Sequence, residues 1–290
     1  FPIYIIFVGF WEKNLGYYKI GSYGYMYSRI KDIQNHKNPD ILFLGSSHSY
    51  RSFDTRIFQE HGIKSFNLGS SAQSPKQTEV LLKQYLDIIN PKVIVYEICP
   101  GELATKGIES TTDLISNDHI DIDICRLAIK SGDVRVFNTL IYALFQEYVF
   151  HIRDCFHEDT INYGDRYISG GFVEKLDYQP FVNSDNHSQK VSHIRSDQLK
   201  AFGYCIQMIN NKNIPFLLIK APLPKSSYES IANHAEINDI ISSFGHYIDF
   251  NLFLHLDDTC FFDSDHLAQP GVLAFDEYLI QVLDTIALSQ

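Results

Sequence analysis

Two short segments near opposite ends of the chain carry the residue types that nucleophilic catalysis needs. Gly45-Ser46-Ser47 follows an apolar run, and a serine at such a strand-to-helix turn is exposed at the carboxyl edge of a parallel sheet. Near the C-terminus, Asp263 and His266 stand three residues apart. In a turn, this spacing places a carboxylate against one imidazole nitrogen and leaves the other nitrogen free to take a proton. Together the two segments predict a serine nucleophile, a histidine base and an aspartate that orients the base.

Each segment taken alone has a simpler interpretation. A Gly-Ser sequence after a strand is common as an ordinary turn or helix cap. Asp257 and Asp258 lie close to the second segment, which is therefore also consistent with a solvated acidic turn or a Ca²⁺ loop, although the EF-hand spacing is absent. The first segment lacks the G-K-[ST] ending of a P-loop, and no G-x-G-x-x-G is present, so the two common nucleotide-binding loops are excluded.

The elements that must position these residues alternate between strands and helices. Apolar runs predict five strands, at 40–44, 64–68, 92–98, 214–219 and 247–250. Helical periodicity and helix-start signals predict helices at 78–89, 196–209, 230–243 and 270–283. This alternation is typical of βαβ units. It predicts the α/β class, as a three-layer α/β/α sandwich with a five-stranded parallel sheet.

Residues from about 102 to 195 interrupt the alternation. The segments 120–130 and 134–150 have helical patterns, whereas 154–195 is polar, has no clear period and includes Gly170-Gly171. We therefore expect a largely helical insertion between the third and fourth strands. It is either a lid that shapes the substrate site or a long surface excursion.

The first eleven residues, FPIYIIFVGFW, are uncharged and almost wholly apolar. A membrane-spanning helix needs about 20 such residues, and the chain begins without Met. We interpret residues 1–20 as the remnant of an N-terminal membrane anchor and its linker, ahead of a domain at 21–290. The alternative is a buried strand or helix of that domain.

Charge and cysteine usage exclude several classes of protein. With 24 Lys and Arg against 35 Asp and Glu, the net charge of −11 argues against nucleic-acid binding, which needs a basic face. The five cysteines include no C-x-x-C pair and are odd in number, which argues against a structural zinc site and a disulfide framework. We expect buried free thiols.

The order of the two segments resembles that of the SGNH/GDSL hydrolase superfamily, which has a G-D-S block after the first strand and a D-x-x-H block before the last helix. Here Gly45-Ser46-Ser47 has serine in place of the aspartate. This variant is similar to a membrane-anchored branch that includes DltD-like and alginate-acetylation-like proteins. The resemblance covers about residues 40–100 and 196–287. It implies a flavodoxin-like sheet, with Ser47 as nucleophile, Asp263 as orienting acid and His266 as base.

From these roles we expect His266 Nε2 to lie about 2.6–3.5 Å from Ser47 Oγ, with Asp263 facing Nδ1. The resemblance also implies an oxyanion hole that includes the backbone N–H groups of Ser47 and Gly69. The family's third block supplies an asparagine, but Gly101 stands at that position. Loss of one donor costs about 10²–10³ in rate.

Other polar residues near these blocks are candidate oxyanion or substrate contacts: Asn67, Ser71, Gln73 and His48. His48 fits an ordinary position on a helix surface equally well. Glu97 is either a site residue or a charge at a strand edge, and we expect Arg51 to pair with Asp54 near the first helix.

The resemblance implies a serine esterase or O-acyltransferase that forms an acyl-enzyme from a small-molecule or glycan acyl ester, with neither a metal nor an organic cofactor. The anchor and the family branch imply a domain on the extracytoplasmic side and a cell-envelope carbohydrate as substrate, although a cytoplasmic location stays open. The alternative is a catalytically silent envelope protein that keeps the fold and binds a glycan or protein partner. The missing asparagine favours that alternative. The acyl group and the oligomeric state do not follow from the sequence.

Overall fold

The computed structural model describes residues 19–21, 24–182 and 189–287. Its central sheet has five parallel strands in the order β2-β1-β3-β7-β8. These are β1 (Ile41–Leu44), β2 (Ser65–Asn67), β3 (Val93–Glu97), β7 (Phe216–Lys220) and β8 (Tyr247–Asp249). Each predicted strand is present within two residues of its predicted bounds. The prediction of a flavodoxin-like five-stranded parallel sheet is confirmed.

Helices cover both faces of this sheet. They are α1 (Met26–Asp32), α2 (Ser47–Ser52), α3 (Thr55–Glu60), α4 (Pro75–Ile89), α5 (Pro100–Ala104), α6 (Ile108–Asn117), α7 (Ile122–Ser131), α8 (Val134–Tyr148), α9 (Ile152–Cys155), α10 (Ser196–Asn211), α11 (Lys225–Glu229), α12 (His234–Ser242) and α13 (Gln269–Ala287). Alternate residues of β1 enter different core layers. Leu42 and Leu44 pack with α4 and α10, whereas Ile41 and Phe43 pack with α3 and α13. The molecule is therefore a three-layer α/β/α sandwich.

Helix boundaries depend on caps as well as on periodicity. Helix α4 begins at Pro75, three residues before the predicted start, because Ser74 and Gln77 form a capping box. The helix predicted at 230–243 is wrong at its N-terminal end, where a break separates α11 from α12. Neither change moves the strands that carry the site.

The insertion contains helices followed by a small antiparallel sheet. Its strands are β4 (Ile161–Asn162), β5 (Asp165–Ile168) and β6 (Phe172–Lys175). Helices α7 and α8 were predicted, but helices α5, α6 and α9 and the small sheet were not. Gly170 and Gly171 form the β5–β6 turn with φ angles of 97° and 101°, a backbone region that favours glycine.

This turn is packed tightly against the body of the fold. The Asn67 N–H donates a hydrogen bond to Gly170 O at 2.7 Å. A Cβ atom on Gly171 would collide with Asn67 O. The β5–β6 hairpin is therefore held against the end of β2 rather than lying as a loose excursion.

The predicted membrane anchor lies outside the described residues, because residues 1–18 are not among them. Within the described ranges, no helix combines the length and apolar composition needed to cross a bilayer.

All five cysteines are free, as expected. Only Cys205 is buried, however; Cys155 is exposed, and the other three are half-buried. The expectation of uniformly buried thiols is wrong, because most of these cysteines lie near helix ends and loops rather than in the core.

Candidate active site

The serine of the first segment lies at a strand-to-helix turn. Strand β1 ends at Leu44, and Ser46 caps α2 by accepting a hydrogen bond from the His48 N–H at 3.3 Å. Ser47 is the first residue of the helix and is half-buried. Gly45 has a φ of 140°, and a Cβ atom there would lie 2.8 Å from Glu97 O. Glycine therefore lets the turn pass close to the end of β3.

The aspartate and histidine of the second segment share a tight turn before α13. Asp263 Oδ1 accepts the backbone N–H groups of Asp265 at 2.8 Å and of His266 at 2.7 Å. These two bonds bring the ends of the D-x-x-H segment together. The Asp263 Oδ2 atom then lies 2.9 Å from His266 Nδ1. The three-residue spacing of Asp263 and His266 thus produces a direct contact between the carboxylate and the imidazole.

The fold brings these two segments together across 219 residues of chain. His266 Nε2 lies 2.7 Å from Ser47 Oγ, within the expected range. Ser47, His266 and Asp263 thus form a continuous hydrogen-bonded line at the carboxyl edge of the sheet. This geometry is the one required for a base to remove a proton from a serine hydroxyl.

The charges around this line favour a neutral histidine and an ionised aspartate. Burial lowers the pKa of His266, the Asp263 carboxylate opposes that effect, and the charge of His48 lowers the pKa further. Burial raises the pKa of Asp263, but the hydrogen bonds from His266 and from backbone N–H groups outweigh it, so the net pKa is lowered. A neutral imidazole beside an ionised carboxylate is the state that can accept the serine proton.

Two aromatic rings hold the histidine in place. The Phe262 ring stacks on His266 with 5.5 Å between ring centroids and an interplanar angle of 9°. The His48 ring stacks at 5.2 Å and 27°. The Arg51 guanidinium lies over Phe262 at 5.3 Å from its centroid, so α2 and the catalytic loop contact each other through several rings.

Arg51 makes a buried ion pair with the insertion. Its guanidinium donates to both carboxylate oxygens of Asp165, with the shorter contact at 2.7 Å, and both side chains are 3% exposed. The expected Arg51–Asp54 pair is wrong, because Asp54 instead binds Arg56 at 2.7 Å. Asp165 could not be identified from the sequence, because it lies in residues 154–195, which show no hydrophobic periodicity.

The amide of Gly69 is occupied in this structure. It donates to Asn67 Oδ1 at 2.9 Å, which contradicts the expectation of a free oxyanion donor. The Ser47 N–H, by contrast, has no acceptor among the described residues. Gly101 lies exposed in α5 and has no side chain to replace the absent asparagine.

Three of the proposed side-chain contacts have structural partners instead. Asn67, Ser71 and Gln73 are all buried, and their polar atoms bond to other protein groups. Those groups belong to Ser49, Tyr50, Ser70 and Thr78. In this structure, therefore, none of these three candidate contacts has its side chain turned toward Ser47 as a free donor.

His48 and Glu97 lie beneath the nucleophile turn. His48 is 8% exposed and its Nε2 atom is buried, so it is neither a substrate contact nor a helix-surface residue. Glu97 is 2% exposed at the end of the central strand β3, and accepts backbone N–H groups of Ser46 and Ala221. Burial raises the pKa of this carboxyl. It is neither a charge at a sheet edge nor accessible to a substrate.

No family model matches this sequence, and no curated protein matches it. A solved structure that matches is that of a Bacteroides fragilis protein described as an inferred acylhydrolase. The two chains share 10% identity over 90% of this chain and 95% of the other, with a TM-score of 0.42. A likeness of this degree says nothing about the chemistry of the site.

Proposed function

We propose that this protein is a serine esterase or O-acyltransferase with Ser47 as nucleophile, His266 as base and Asp263 as orienting acid. The observation that carries the proposal is the 2.7 Å contact between His266 Nε2 and Ser47 Oγ. Asp263 holds the opposite nitrogen of the same ring. A serine with no such partner remains protonated and is a weak nucleophile at neutral pH.

The reaction proceeds through two acyl transfers. His266 Nε2 takes the hydroxyl proton of Ser47 while Oγ attacks the ester carbonyl carbon. The tetrahedral intermediate expels the alcohol, which takes the proton back from Nε2 and leaves an acyl ester on Ser47. Water then attacks that ester with the same base and releases the acid, or a sugar hydroxyl attacks it and carries the acyl group away. These steps need neither a metal nor an organic cofactor.

The oxyanion site sets the expected speed of this reaction. The Ser47 N–H is free to donate, whereas the Gly69 N–H must release Asn67 Oδ1 before it can help. Each good donor lowers the barrier by roughly 2.7–4 kcal/mol. We therefore expect slow but measurable hydrolysis of a small activated ester such as p-nitrophenyl acetate. A wild-type protein whose rate equals that of buffer would contradict the proposed function.

Replacing Asp263 with asparagine should weaken catalysis less than removing the nucleophile does. The amide favours the wrong tautomer of His266 but leaves the base present. We expect the residual rate to exceed that of Ser47→Ala by up to about 10²-fold. Steady-state hydrolysis of p-nitrophenyl acetate by both purified variants measures the difference. Wild-type activity in Asp263→Asn would show that this carboxylate does not orient the base.

The choice between hydrolysis and transfer depends on the acceptor. We propose an ester of a cell-envelope carbohydrate as the natural substrate and a membrane-anchored, extracytoplasmic domain. The G-S-S block and the apolar run at residues 1–11 support this. Adding an oligosaccharide acceptor during p-nitrophenyl acetate turnover tests transfer, because acylated sugar then forms at the expense of free acetate. Fractionation of cells that express the chain with or without residues 1–20 tests the anchor.

A catalytically silent binding protein is the second candidate. It is favoured by one observation, the occupied Gly69 amide combined with glycine at position 101. Such a protein would bind a glycan or protein partner in the same fold. It would leave Ser47 unmodified by a serine-directed probe, whereas the enzyme would react.

A further inference from the structure

A groove of about 490 Å³ lies between helix α7 of the insertion and helices α4 and α10 of the body of the fold. Its lining includes the buried apolar side chains of Val80, Leu127 and Ala201. None of the three triad residues lines it, and the reaction proposed above does not use it. A groove of this volume is large enough to hold a small organic molecule.

The groove is positively charged, although the net charge of the chain is −11. Three carboxylates line it, those of Glu79, Asp123 and Asp197. Six cationic side chains also line it, which leaves a local excess of three positive charges: Lys76, Lys83, Lys106, Arg126, Lys130 and Lys200. The groove therefore attracts anions, whereas the protein as a whole repels them.

Each carboxylate of the groove is already neutralised by a cation. The ion pairs are Lys76–Asp197 at 2.7 Å, Lys83–Glu79 at 2.6 Å and Arg126–Asp123 at 3.3 Å. Asp197 also binds Arg195 at 3.0 Å, which adds a further positive charge beside the groove. The local excess of positive charge therefore resides on the cations that these carboxylates do not bind.

Three exposed lysines of the groove have no carboxylate partner among the described residues: Lys106, Lys130 and Lys200. They come from three different segments, the α5–α6 loop, α7 and α10. Lys106 faces Asp133 electrostatically, but that carboxylate is bonded to Arg135 at 2.8 Å. The fold thus brings three unpaired ammonium groups from separate parts of the chain to one groove.

The type of cation indicates the type of anion. Arg126 already binds Asp123, so the unpaired groups are ammonium ions. An ammonium acts as a point charge and suits phosphate, whereas a planar guanidinium is the better match for a carboxylate. A phosphate monoester carries about −1.5 to −2 at neutral pH, so two of them balance three lysines. The apolar lining and the exposed ring of Tyr204 provide contacts for a carbon skeleton between the two phosphates.

We propose that this groove binds a small organic molecule that carries two phosphate groups, held by Lys106, Lys130 and Lys200. The ligand bridges the insertion and the body of the fold, because Lys106 and Lys130 belong to the insertion and Lys200 belongs to α10. This inference goes beyond the proposed function and does not rest on it, since none of these lysines belongs to the triad.

The first test is isothermal titration calorimetry at low ionic strength with two probes that differ in the spacing of their phosphates, fructose 1,6-bisphosphate and 2,3-bisphosphoglycerate. At least one should bind saturably with a Kd below about 1 mM. Fructose 6-phosphate has lost one charged group and should bind about tenfold more weakly than the bisphosphate. Fructose should not bind. Failure of both bisphosphates to bind below about 1 mM, or equal affinity for fructose 6-phosphate and fructose 1,6-bisphosphate, would overturn the proposal.

The second test removes the unpaired charges. The triple variant Lys106→Gln/Lys130→Gln/Lys200→Gln should bind the bisphosphate at least about 100-fold more weakly. The matched control removes the same charge by replacing three exposed lysines outside the groove with glutamine: Lys92, Lys190 and Lys225. It should bind as tightly as the wild type. Wild-type affinity in the groove variant, or an equal loss of affinity in the control, would overturn the proposal.

Lysine labelling locates the ligand by a separate readout. Reductive dimethylation followed by peptide mass spectrometry should show that the bound bisphosphate slows modification of Lys106, Lys130 and Lys200 and leaves Lys92 unchanged. Protection confined to lysines outside the groove would contradict the assignment of the site. Neither binding nor labelling depends on ester turnover, so a failure of the proposed function would leave both results interpretable.

Discussion

Replacing Ser47 with alanine should reduce hydrolysis of p-nitrophenyl acetate to the rate in buffer. The variant lacks the oxygen that forms the acyl-enzyme, and the remaining donors cannot supply a nucleophile. His266→Ala should lose nearly as much, because nucleophile and base act as one unit and removing either costs on the order of 10⁶ in a well-built triad. Initial rates at saturating ester measure both losses.

The control for this experiment is another serine. Ser243 is exposed at the end of α12, where its hydroxyl bonds only to a backbone carbonyl, and Ser243→Ala should keep the full rate. Circular dichroism and thermal unfolding show whether the Ser47 variant is folded. A folded Ser47→Ala protein that hydrolysed the ester as fast as the wild type would remove Ser47 from the mechanism.

Replacing Asp165 with asparagine should lower the free energy of unfolding by about 3–5 kcal/mol. The carboxylate pairs with Arg51 at 2.7 Å and with Lys175 at 3.1 Å, and its side chain is 3% exposed. The amide leaves the buried Arg51 guanidinium without its counter-ion. Urea unfolding followed by tryptophan or tyrosine fluorescence measures the loss.

An exposed pair provides the comparison. Asp133→Asn removes the contact with Arg135, which is 49% exposed, while asparagine still caps α8. It should cost less than about 1 kcal/mol. The double variant Arg51→Met/Asp165→Leu should recover much of the stability that Asp165→Asn loses, since it removes both buried charges. Equal stability of Asp165→Asn and the wild type would mean that this pair does not hold the insertion against α2.

The sheet could be predicted from the sequence because its strands are short runs that are buried on both faces. Ile41–Leu44 is apolar at every position, which marks a strand covered by helices on both sides. Strand β5 (Asp165–Ile168) is half-exposed and carries Asp165 on its buried face. The partner of its buried Asp165 side chain, Arg51, lies more than 100 residues away in the chain. A local pattern contains no information about such a partner.

The catalytic residues could also be predicted from local sequence, whereas the contacts around them could not. Ser47 and the Asp263-x-x-His266 segment are recognisable because each depends on spacing within a few residues. Whether His48 faces solvent depends instead on Cys99 and Glu97, which arrive from β3 and the residues that follow it. The Asn67 side chain reaches the Gly69 N–H only two residues further on, but its orientation is fixed by Ser49 of α2, which bonds to both ends of its amide. These contacts are set by packing between elements and not by the order of residues.

Reaction of the native protein with a fluorophosphonate probe tests the central claim most directly. Intact-protein mass spectrometry should show one phosphonyl group added, and peptide mapping should place it on Ser47. The reaction should require the folded chain and should fail in Ser47→Ala and His266→Ala. A folded wild-type protein that stays unmodified under conditions that label a known serine esterase, or an adduct on another residue, would contradict the assignment of Ser47 as the nucleophile.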